Sequence, residues 1–448
     1  MEDIKQHAYI IMNEAKKQGA EHIQVRYTEH YRVGTRYGEK HITQNISTTS
    51  KSFELRTQIG GKVGTYNGSY SPDLIEKSVA DALLLTRVSE DDTEFPGFVQ
   101  EKYNYRPKTA KYHELEPDIL ADEIKIVIDK ATSMDSRITA VAGNLHYQST
   151  KSCLINSFGL EVDEESSGIT GVINVCATDS GESRSTTRIA GATIKALNIE
   201  ERTESVTNTA IQGLNQGELE PGKYETILSP EAVAELMRFI AFGASSEGLI
   251  THQSFLKDKL GEQIFDERIT LIDDVENPEQ NSSRRYDSEG VASNNVSFIE
   301  NGVLKDYAYN RRNAKKLGVE SNGRHLFGFM GESAMFVTQH LKAGNKSREE
   351  LVSSIDDGIL VSNLFYNNFV NPPEGLCTGL TRDGLFRIKN GEIIGSLKNM
   401  RWTDNITSIL SVAEPGSDIR QVADLFGMTF MTPSVRVGQF NYSSKGKH

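Results

Sequence analysis

The residues that could hold a metal ion are spread widely along this chain of 448 residues. A catalytic metal usually needs neutral imidazoles at close spacing, often two histidines on one helix face. The chain has ten histidines, and no two of them are arranged as HxH, HxxH, HxxxH or HExxH: His7, His22, His30, His41, His113, His146, His252, His325, His340 and His448. Glu247 and Asp258 lie near His252, but a polar turn is predicted there rather than a metal site.

Two pairs of adjacent carboxylates could in principle transfer protons. They are Asp273-Asp274 and Asp356-Asp357. Neighbouring side chains on a strand point to opposite faces, so the first pair is a poor acid–base dyad. We predict solvated turns at both positions.

The only tryptophan of the chain, Trp402, lies between Arg401 and Asp404 in the segment MRWTDN. An arginine and a carboxylate beside a large aromatic ring are typical of a buried ion pair next to an anchoring side chain. A structural role is therefore predicted for these three residues, with contact to a bound peptide as the alternative.

Motifs for nucleophilic or phosphate chemistry do not occur. The sequence has no GxSxG elbow and no GxxxxGK[ST] loop. Its three cysteines, Cys153, Cys176 and Cys377, form no CxxC pair, so buried thiols are predicted. Cys377 is placed in a loop that could expose it.

The charge of the chain excludes one class of partner. Its formal net charge is −13, whereas nucleic-acid-binding proteins usually present a basic face to the phosphates. No apolar run approaches the roughly 20 residues of a membrane span, and the N-terminus lacks an apolar signal core. We expect a cytoplasmic protein that binds neither nucleic acid nor membrane.

Hydrophobic periodicity predicts a repeated order of elements in the first half. A helix, several alternating strand segments and a second helix are indicated twice, the second copy opening at Pro117. A boundary follows at GELEPGKYETILSP, where glycine and proline punctuate the chain. Three units are predicted, at residues 1–110, 111–218 and 219–448.

The last unit should be rich in strands. ENG and KNGE each stand between alternating apolar residues, a strong hairpin signal. A helix is expected from Ser229-Pro230, and another from the capping box Ser347–Glu350, carrying Ile359 at its end. The predicted fold class is α+β, with a duplicated helix–strands–helix half and a strand-rich C-terminal domain.

Four segments of this second half resemble the TldD/PmbA family in order and spacing. They are KLGEQIFDERITLIDD, SRRYDSEGVASNNVSFIENGVLKDYAYNRRNAKKLGVESNGR, NMRWTDNITSIL and TPSVRVGQFNYS. The last is similar to the closing strand of the PmbA, or TldE, branch. The resemblance implies a two-chain protease in which a TldD-type chain carries zinc on a His-Glu-x-x-x-His helix, with a later cysteine as a further ligand.

In this chain the corresponding helix has apolar side chains at those positions. Phe239 and Ala244 replace the two histidines and Ile240 replaces the glutamate, while the segment LFGMTFMTPSV contains no cysteine. The resemblance therefore implies a chain without catalytic residues or metal ligands of its own, and zinc is expected in a TldD-type partner.

Three functions follow from the resemblance. The first is a non-catalytic subunit that pairs with a TldD-type chain, or with itself, and helps to receive unfolded peptide at a sheet edge. The second is a metallopeptidase that is active by itself, through a site that the motif does not show. The third is a protein-binding regulator of DNA gyrase. Whether the chain is itself an enzyme is left open.

Overall fold

The computed structural model describes residues 2–108, 112–328 and 331–446. Helices and strands are mixed, and strands dominate the second half, so the predicted α+β class is confirmed. The helices are α1 (Glu2–Lys17), α2 (Ile75–Val88), α3 (Pro117–Met134), α4 (Ile199–Gln212), α5 (Pro230–Gly243), α6 (Ser246–Ile250), α7 (Arg311–Leu317), α8 (Arg348–Ser353) and α9 (Ile406–Ile409). Short 3₁₀ turns occupy Pro72–Leu74, Lys195–Leu197 and Pro372–Glu374.

The strands form two large sheets and one sheet of two strands. Those of the first half are β1 (His22–Gly38), β2 (His41–Ile59), β3 (Lys62–Ser69), β4 (Ile138–Asn156), β5 (Glu161–Thr178) and β6 (Glu182–Gly191). Those of the second half are β7 (Gly222–Leu228), β8 (Leu271–Asp273), β9 (Val296–Glu300), β10 (Val303–Leu304), β11 (His325–Gly328), β12 (Gly331–Ala334), β13 (Gln339–Leu341), β14 (Asp357–Asn371), β15 (Leu376–Lys389), β16 (Glu392–Ser396), β17 (Met400–Asn405), β18 (Ala413–Pro415), β19 (Arg420–Ala423), β20 (Thr429–Thr432) and β21 (Val435–Lys445).

The first half repeats one order of elements, as the periodicity predicts. A helix, three antiparallel strands and a helix occur as α1-β1-β2-β3-α2 and again as α3-β4-β5-β6-α4. The copies join where β1 pairs with β4, giving the strand order β6-β5-β4-β1-β2-β3. Alternate side chains of this sheet, such as Tyr27 and Val33 of β1, lie in the cores formed with the four helices. The face of this sheet that points away from the four helices is available for other contacts.

The second half extends this sheet and builds another. Six of its strands continue the first sheet to twelve, in the order β10-β9-β8-β13-β20-β19 before β6. The other sheet has seven strands, and the pairing of β14 with β15 closes β14-β7-β21-β17-β15 into a ring. Residues of this ring share the largest apolar core with α5 and with strands of the first sheet. The division at residues 110 and 218 stays a prediction, since sheet pairing runs across the second boundary.

Several local predictions are confirmed. Asn301-Gly302 and Asn390-Gly391 turn the two predicted hairpins with positive φ at both residues, as a type I′ turn requires. Ser347 and Glu350 form the reciprocal capping box of α8. Among the described residues, no helix has the length and apolarity needed to cross a lipid bilayer.

Three local predictions are wrong. Helix α8 ends at Ser353, so Ile359 lies on β14. Cys377 is not in an exposed loop but fully buried on β15, where it pairs with Phe369 across the ladder. Asp273 is not in a solvated turn: it is buried on β8 and accepts a bond from the Thr338 amide at 2.7 Å.

The burial of Asp273 has a clear electrostatic reason. Arg324 Nε lies 2.7 Å and Arg284 Nη2 lies 3.1 Å from its Oδ2. A carboxylate stays buried when cations and amide donors replace its water shell. Arg284 lies in a loop 11 residues further on and Arg324 in a more distant one, so the pattern around Asp273 could not indicate either contact.

Candidate functional site

The candidate site is organised by α5, which is buried on every side. Pro230 occupies its first turn, where the missing N–H costs nothing. Apolar residues follow over most of the helix surface, and its three charged residues, Glu231, Glu235 and Arg238, are buried as well. Helix α5 packs against β7, β14, β19 and β20 and therefore lies between the two sheets.

The three motif positions lie near the C-terminal end of α5, inside the core. Phe239, Ile240 and Ala244 are 2%, 1% and 0% exposed. The Phe239 ring meets that of Phe369 edge-on, with 4.7 Å between centroids. Zinc needs nitrogen, sulfur or oxygen lone pairs, and these side chains present only carbon and hydrogen. The residues present do not fit the metal.

The surroundings of Ile240 are equally apolar. Ile240 lines a cavity of about 10 Å³, whose walls are Leu228, Val233, Leu236, Met237, Ile269, Leu271, Leu341, Leu410 and Val435. A cavity of this size without polar walls stays dry. No water could be held there for activation.

The cysteines do not supply a metal ligand at this place either. Cys377 is the cysteine that shares the core with Phe239. Burial raises the pKa of its thiol to about 12, so it stays protonated at neutral pH. The thiolate is the form that binds metals. Cys153 is also buried and Cys176 is half-buried, which largely agrees with the predicted buried thiols.

Directly before these positions, α5 carries a buried polar cluster that the sequence analysis missed. Arg238 contacts Glu235 Oε2 at 3.0 Å and, through Nε, Asp424 Oδ2 at 3.0 Å. Glu235 also accepts bonds from Asn367 Nδ2 at 3.1 Å and from the Leu425 amide at 2.9 Å. Two charged residues three positions apart in an apolar helix were the available signal.

Asp424 has a perturbed acidity in this cluster. Burial, and next the neighbouring Glu235, raise its pKa to about 6, against the opposing effect of Arg238. Its Oδ1 accepts the amides of Phe426 and Met428 at 2.9 and 2.8 Å. The carboxylate thus shapes the turn between β19 and β20 and ties it to α5.

The segment around Trp402 is only partly as predicted. Trp402 is fully buried and donates from Nε1 to Asn367 Oδ1 at 3.1 Å, which makes it an anchor. Arg401 and Asp404 form no ion pair with each other. Arg401 is exposed and donates to Thr378, while Asp404 accepts the amides of Asn405 and Asn441. They lie three residues apart on β17, so their side chains point to opposite faces.

A groove with a cavity of about 730 Å³ lies on the helix-free face of the first sheet. Its floor is built from facing residues of β2, β1, β4 and β5 in two rows: Thr48, Arg32, Gln148 and Gly168; and Ile46, Gly34, His146 and Thr170. Arg32 Nε donates to Gln148 Oε1 at 3.0 Å. Burial, and then Arg36, lower the pKa of His146, so its imidazole is neutral at pH 7.

The rim of this groove connects it to α5. Gly427, Met428 and Thr429 form one wall, and they belong to the turn that Asp424 ties to Arg238. Asn281 and Ser282 form another wall. A Cβ on Gly168 would approach the Asn281 side chain to 2.7 Å, so glycine allows this wall to approach the floor.

Strand β2 presents an unpaired edge beside the groove. Its residues from His41 to Ser50 pair with β1, whereas β3 pairs only with Ser52–Ile59. Apart from the half-buried Ile42, these residues are exposed on both faces. Their outward N–H and C=O groups are available to a further strand.

The polar cluster considered around His252 does not assemble. Glu247 instead accepts bonds from Asn310 at 3.0 Å, Asn313 at 2.7 Å and the Ala334 amide at 3.0 Å. His252 contacts Lys257. His325 and His340 lie on β11 and β13.

One group of described residues has its oxygen and nitrogen atoms close enough for a metal ion: Asp3, His7 and Glu29. Glu29, however, is already bound by Lys51 at 3.1 Å and Lys151 at 2.9 Å. Glu29 is the buried residue of this group, and the two ammonium groups beside its carboxylate repel a further cation.

Comparisons with known proteins agree with the resemblance in the sequence. Residues 221–444 match the PmbA/TldA metallopeptidase C-terminal domain. A metalloprotease of Methanocaldococcus jannaschii is 26% identical over 356 residues, 76% of this chain and 77% of that one.

Two solved structures have the same fold. Thermococcus kodakarensis TldE has a TM-score of 0.88 at 22% identity, covering 97% of this chain and 98% of that chain. A protein of Thermotoga maritima described as a modulator of a DNA gyrase has a TM-score of 0.83 at 24% identity, covering 98% and 99%.

Proposed function

We propose, from the premise that this chain belongs to the PmbA/TldD family of metallopeptidase-like proteins, that it is the non-catalytic subunit of a two-chain protease. The observation that carries the proposal is the chemistry of Phe239, Ile240 and Ala244, which offer no lone pair to a metal and no base to a water molecule. All three are sealed in the core. A TldD-type partner chain would supply the zinc and the general base.

The groove supports a role in receiving the peptide. Its floor is polar and mostly uncharged, with Arg32 as the cation of the two rows. Such a floor can accept backbone groups of an extended chain without requiring a particular sequence. The free edge of β2 lies beside it and can add a strand through main-chain hydrogen bonds alone.

The division of labour can be tested with the purified chain. Alone, with zinc and an unfolded peptide, it should not cleave. Co-expressed with the TldD-type chain of the same genome, it should co-elute with that chain, and zinc should follow the partner's amount. Cleavage by the isolated chain that a chelator abolishes would overturn the proposal, as would a failure of the two chains to associate.

The receiving role has its own test in the assembled complex. Ile46→Asp places a carboxylate on the groove floor, whereas Ser47→Asp places one at the next position, on the opposite face of β2. We expect the first variant to weaken peptide binding about tenfold, roughly 1.4 kcal/mol, and the second to leave it unchanged. Equal effects of the two variants would exclude the groove as the peptide site.

A further inference from the structure

A second pocket lies at the opposite end of α5, between the two halves of the chain. Arg202 of α4 enters it from the first half. Arg420 of β19, Arg348 of α8 and Glu231 of α5 enter it from the second half, and Ser229 precedes the helix there. None of these residues belongs to the groove or to the motif positions.

Arg202 uses only one of its three nitrogens. Its Nη2 contacts Glu231 Oε1 at 3.1 Å, Thr187 Oγ1 at 2.9 Å and the carbonyl of Arg188 at 3.1 Å. Its Nε and Nη1 are buried and have no hydrogen-bond partner among the described residues, although the residue is only 4% exposed. A buried donor left unsatisfied costs about 1–3 kcal/mol, so the pocket favours a species that accepts hydrogen bonds.

Three further groups of the pocket lack partners in the same way. Among the described residues, the donors Arg420 Nε and Ser229 Oγ and the acceptor Asn363 Oδ1 are buried without a hydrogen bond. Ser229 precedes α5, yet its hydroxyl does not cap the helix. Three arginine and hydroxyl side chains thus offer free donors around one space, at the positive end of a 14-residue helix.

The charge of the lining calls for an anion rather than for water. Three guanidinium groups face one carboxylate, and Arg420 Nη2 stands 3.5 Å from that carboxylate's Oε2. Burial, and then the repulsion of Arg420, lower the pKa of Arg202 to about 10, which still leaves it cationic at neutral pH. Asp418 and Glu349 act on Arg348 from outside the lining. Glu201 acts on Arg202 in the same way. Within the lining itself, three guanidinium groups outnumber the one carboxylate, so an anion matches the charge of the lining better than a water molecule does.

The size of the space limits the choice of anion. The cavity measures about 20 Å³, which corresponds to one or two water-sized particles. A monatomic ion fits this volume, whereas a tetrahedral oxyanion would require the walls to move.

We propose that this pocket binds a chloride-sized anion, held by Arg202, Arg348 and Arg420 with the Ser229 hydroxyl, and that the ion fastens the first half of the chain to the second. The site is separate from the peptide groove, so it stands whether or not the subunit role is correct.

Crystals of the full chain grown in bromide test the site directly. Anomalous diffraction at the bromine edge should give a peak between Arg202 and Arg420. Density that refines only as water, with no anomalous signal, would overturn the proposal. This measurement needs no variant and is independent of any protease activity.

Thermal unfolding tests the fastening role. At constant ionic strength, replacing gluconate, which is too large to enter, by chloride should raise the Tm by about 2 °C. Arg420→Gln should abolish this difference. Arg436→Gln, a matched change of an ion-paired arginine on β21 outside the pocket, should retain it.

Two results would contradict the assignment. One is an equal chloride effect in Arg420→Gln, which would show a general salt effect. The other is stabilisation by phosphate or sulfate but not by halides, which would exclude a monatomic ion.

Discussion

The two ends of α5 solve the problem of burial in opposite ways. At its start, Glu231 is buried with Arg202, Arg420 and the Thr187 hydroxyl around it, so each oxygen has a partner. At its end, Phe239 and Ala244 contribute only carbon to the core. Helix α5 thus tolerates buried charge wherever distant segments supply partners. Among the described residues, Phe239 and Ile240 share a core of apolar side chains, and the Arg238 guanidinium lies 4.7 Å from the Phe239 ring. A histidine restored at Phe239 would therefore meet a cation rather than a second metal ligand.

The largest effect is expected at the apolar end. Phe239→Ala should lower the free energy of unfolding by about 3–5 kcal/mol, because the ring packed on Phe369 leaves a cavity. Denaturant unfolding measures this. Phe426→Ala, whose ring is 70% exposed, is the control and should cost less than about 1 kcal/mol. Equal losses would mean that the end of α5 is not simply packed core.

The charged end should respond to acid. Although burial opposes it, Arg420 and Arg202 lower the pKa of Glu231 from 4.5 to about 2. The stability that this carboxylate contributes, up to about 3 kcal/mol, is present above pH 4.5 and is lost as the pH falls toward 2.

Glu231→Gln tests this expectation. It should destabilise the protein by about 3 kcal/mol at pH 7 and remove that part of the acid dependence. Urea unfolding across this pH range measures both effects. An unchanged acid profile would show that the contacts of Glu231 do not stabilise the fold.

The smallest effect concerns Asp424, between the two ends. Its folded pKa of about 6 exceeds its ordinary value of 3.8, so its contribution is fully present below pH 3.8 and is lost as the pH rises through 6. Asp424→Asn should remove about 1–2 kcal/mol of this pH-dependent loss of stability, so that the Tm falls less as the pH rises through 6. Asp357→Asn, at an exposed pair with Lys389, should leave the profile as it is. A steeper fall of Tm with rising pH in Asp424→Asn would mean that the ionised Asp424 carboxylate stabilises the fold, as that of Glu231 is expected to.

The sequence predicts local elements of this fold better than its long-range ion pairs. The capping box at Ser347 and the turn at Asn390-Gly391 depend on neighbours in sequence, and both form. Asp273 and Cys377 were misplaced because their surroundings come from other strands and loops. Local sequence gives no sign that such partners will arrive.

The same limit applies to the candidate site. The resemblance places Phe239, Ile240 and Ala244 on one helix, and a helix is found there. The contacts of Glu231 with Arg202 and Arg420 join residues from both halves of the chain, so no local pattern could predict them. The same holds for the groove, whose floor and rim come from different halves.

The β19–β20 hairpin is attached to the sheet in an unusual way. Within the described residues, a single residue pair joins it to each neighbour, Val422 with Ile189 on one side and His340 with Met431 on the other. Main-chain pairing therefore holds this hairpin only weakly to the strands on either side of it. Two ion pairs connect the hairpin to α5: Glu231 with Arg420 and Arg238 with Asp424. Loss of either ion pair would let the hairpin tilt. Because its turn forms one wall of the groove, the width of the groove would then change, while the strands on both sides kept their register.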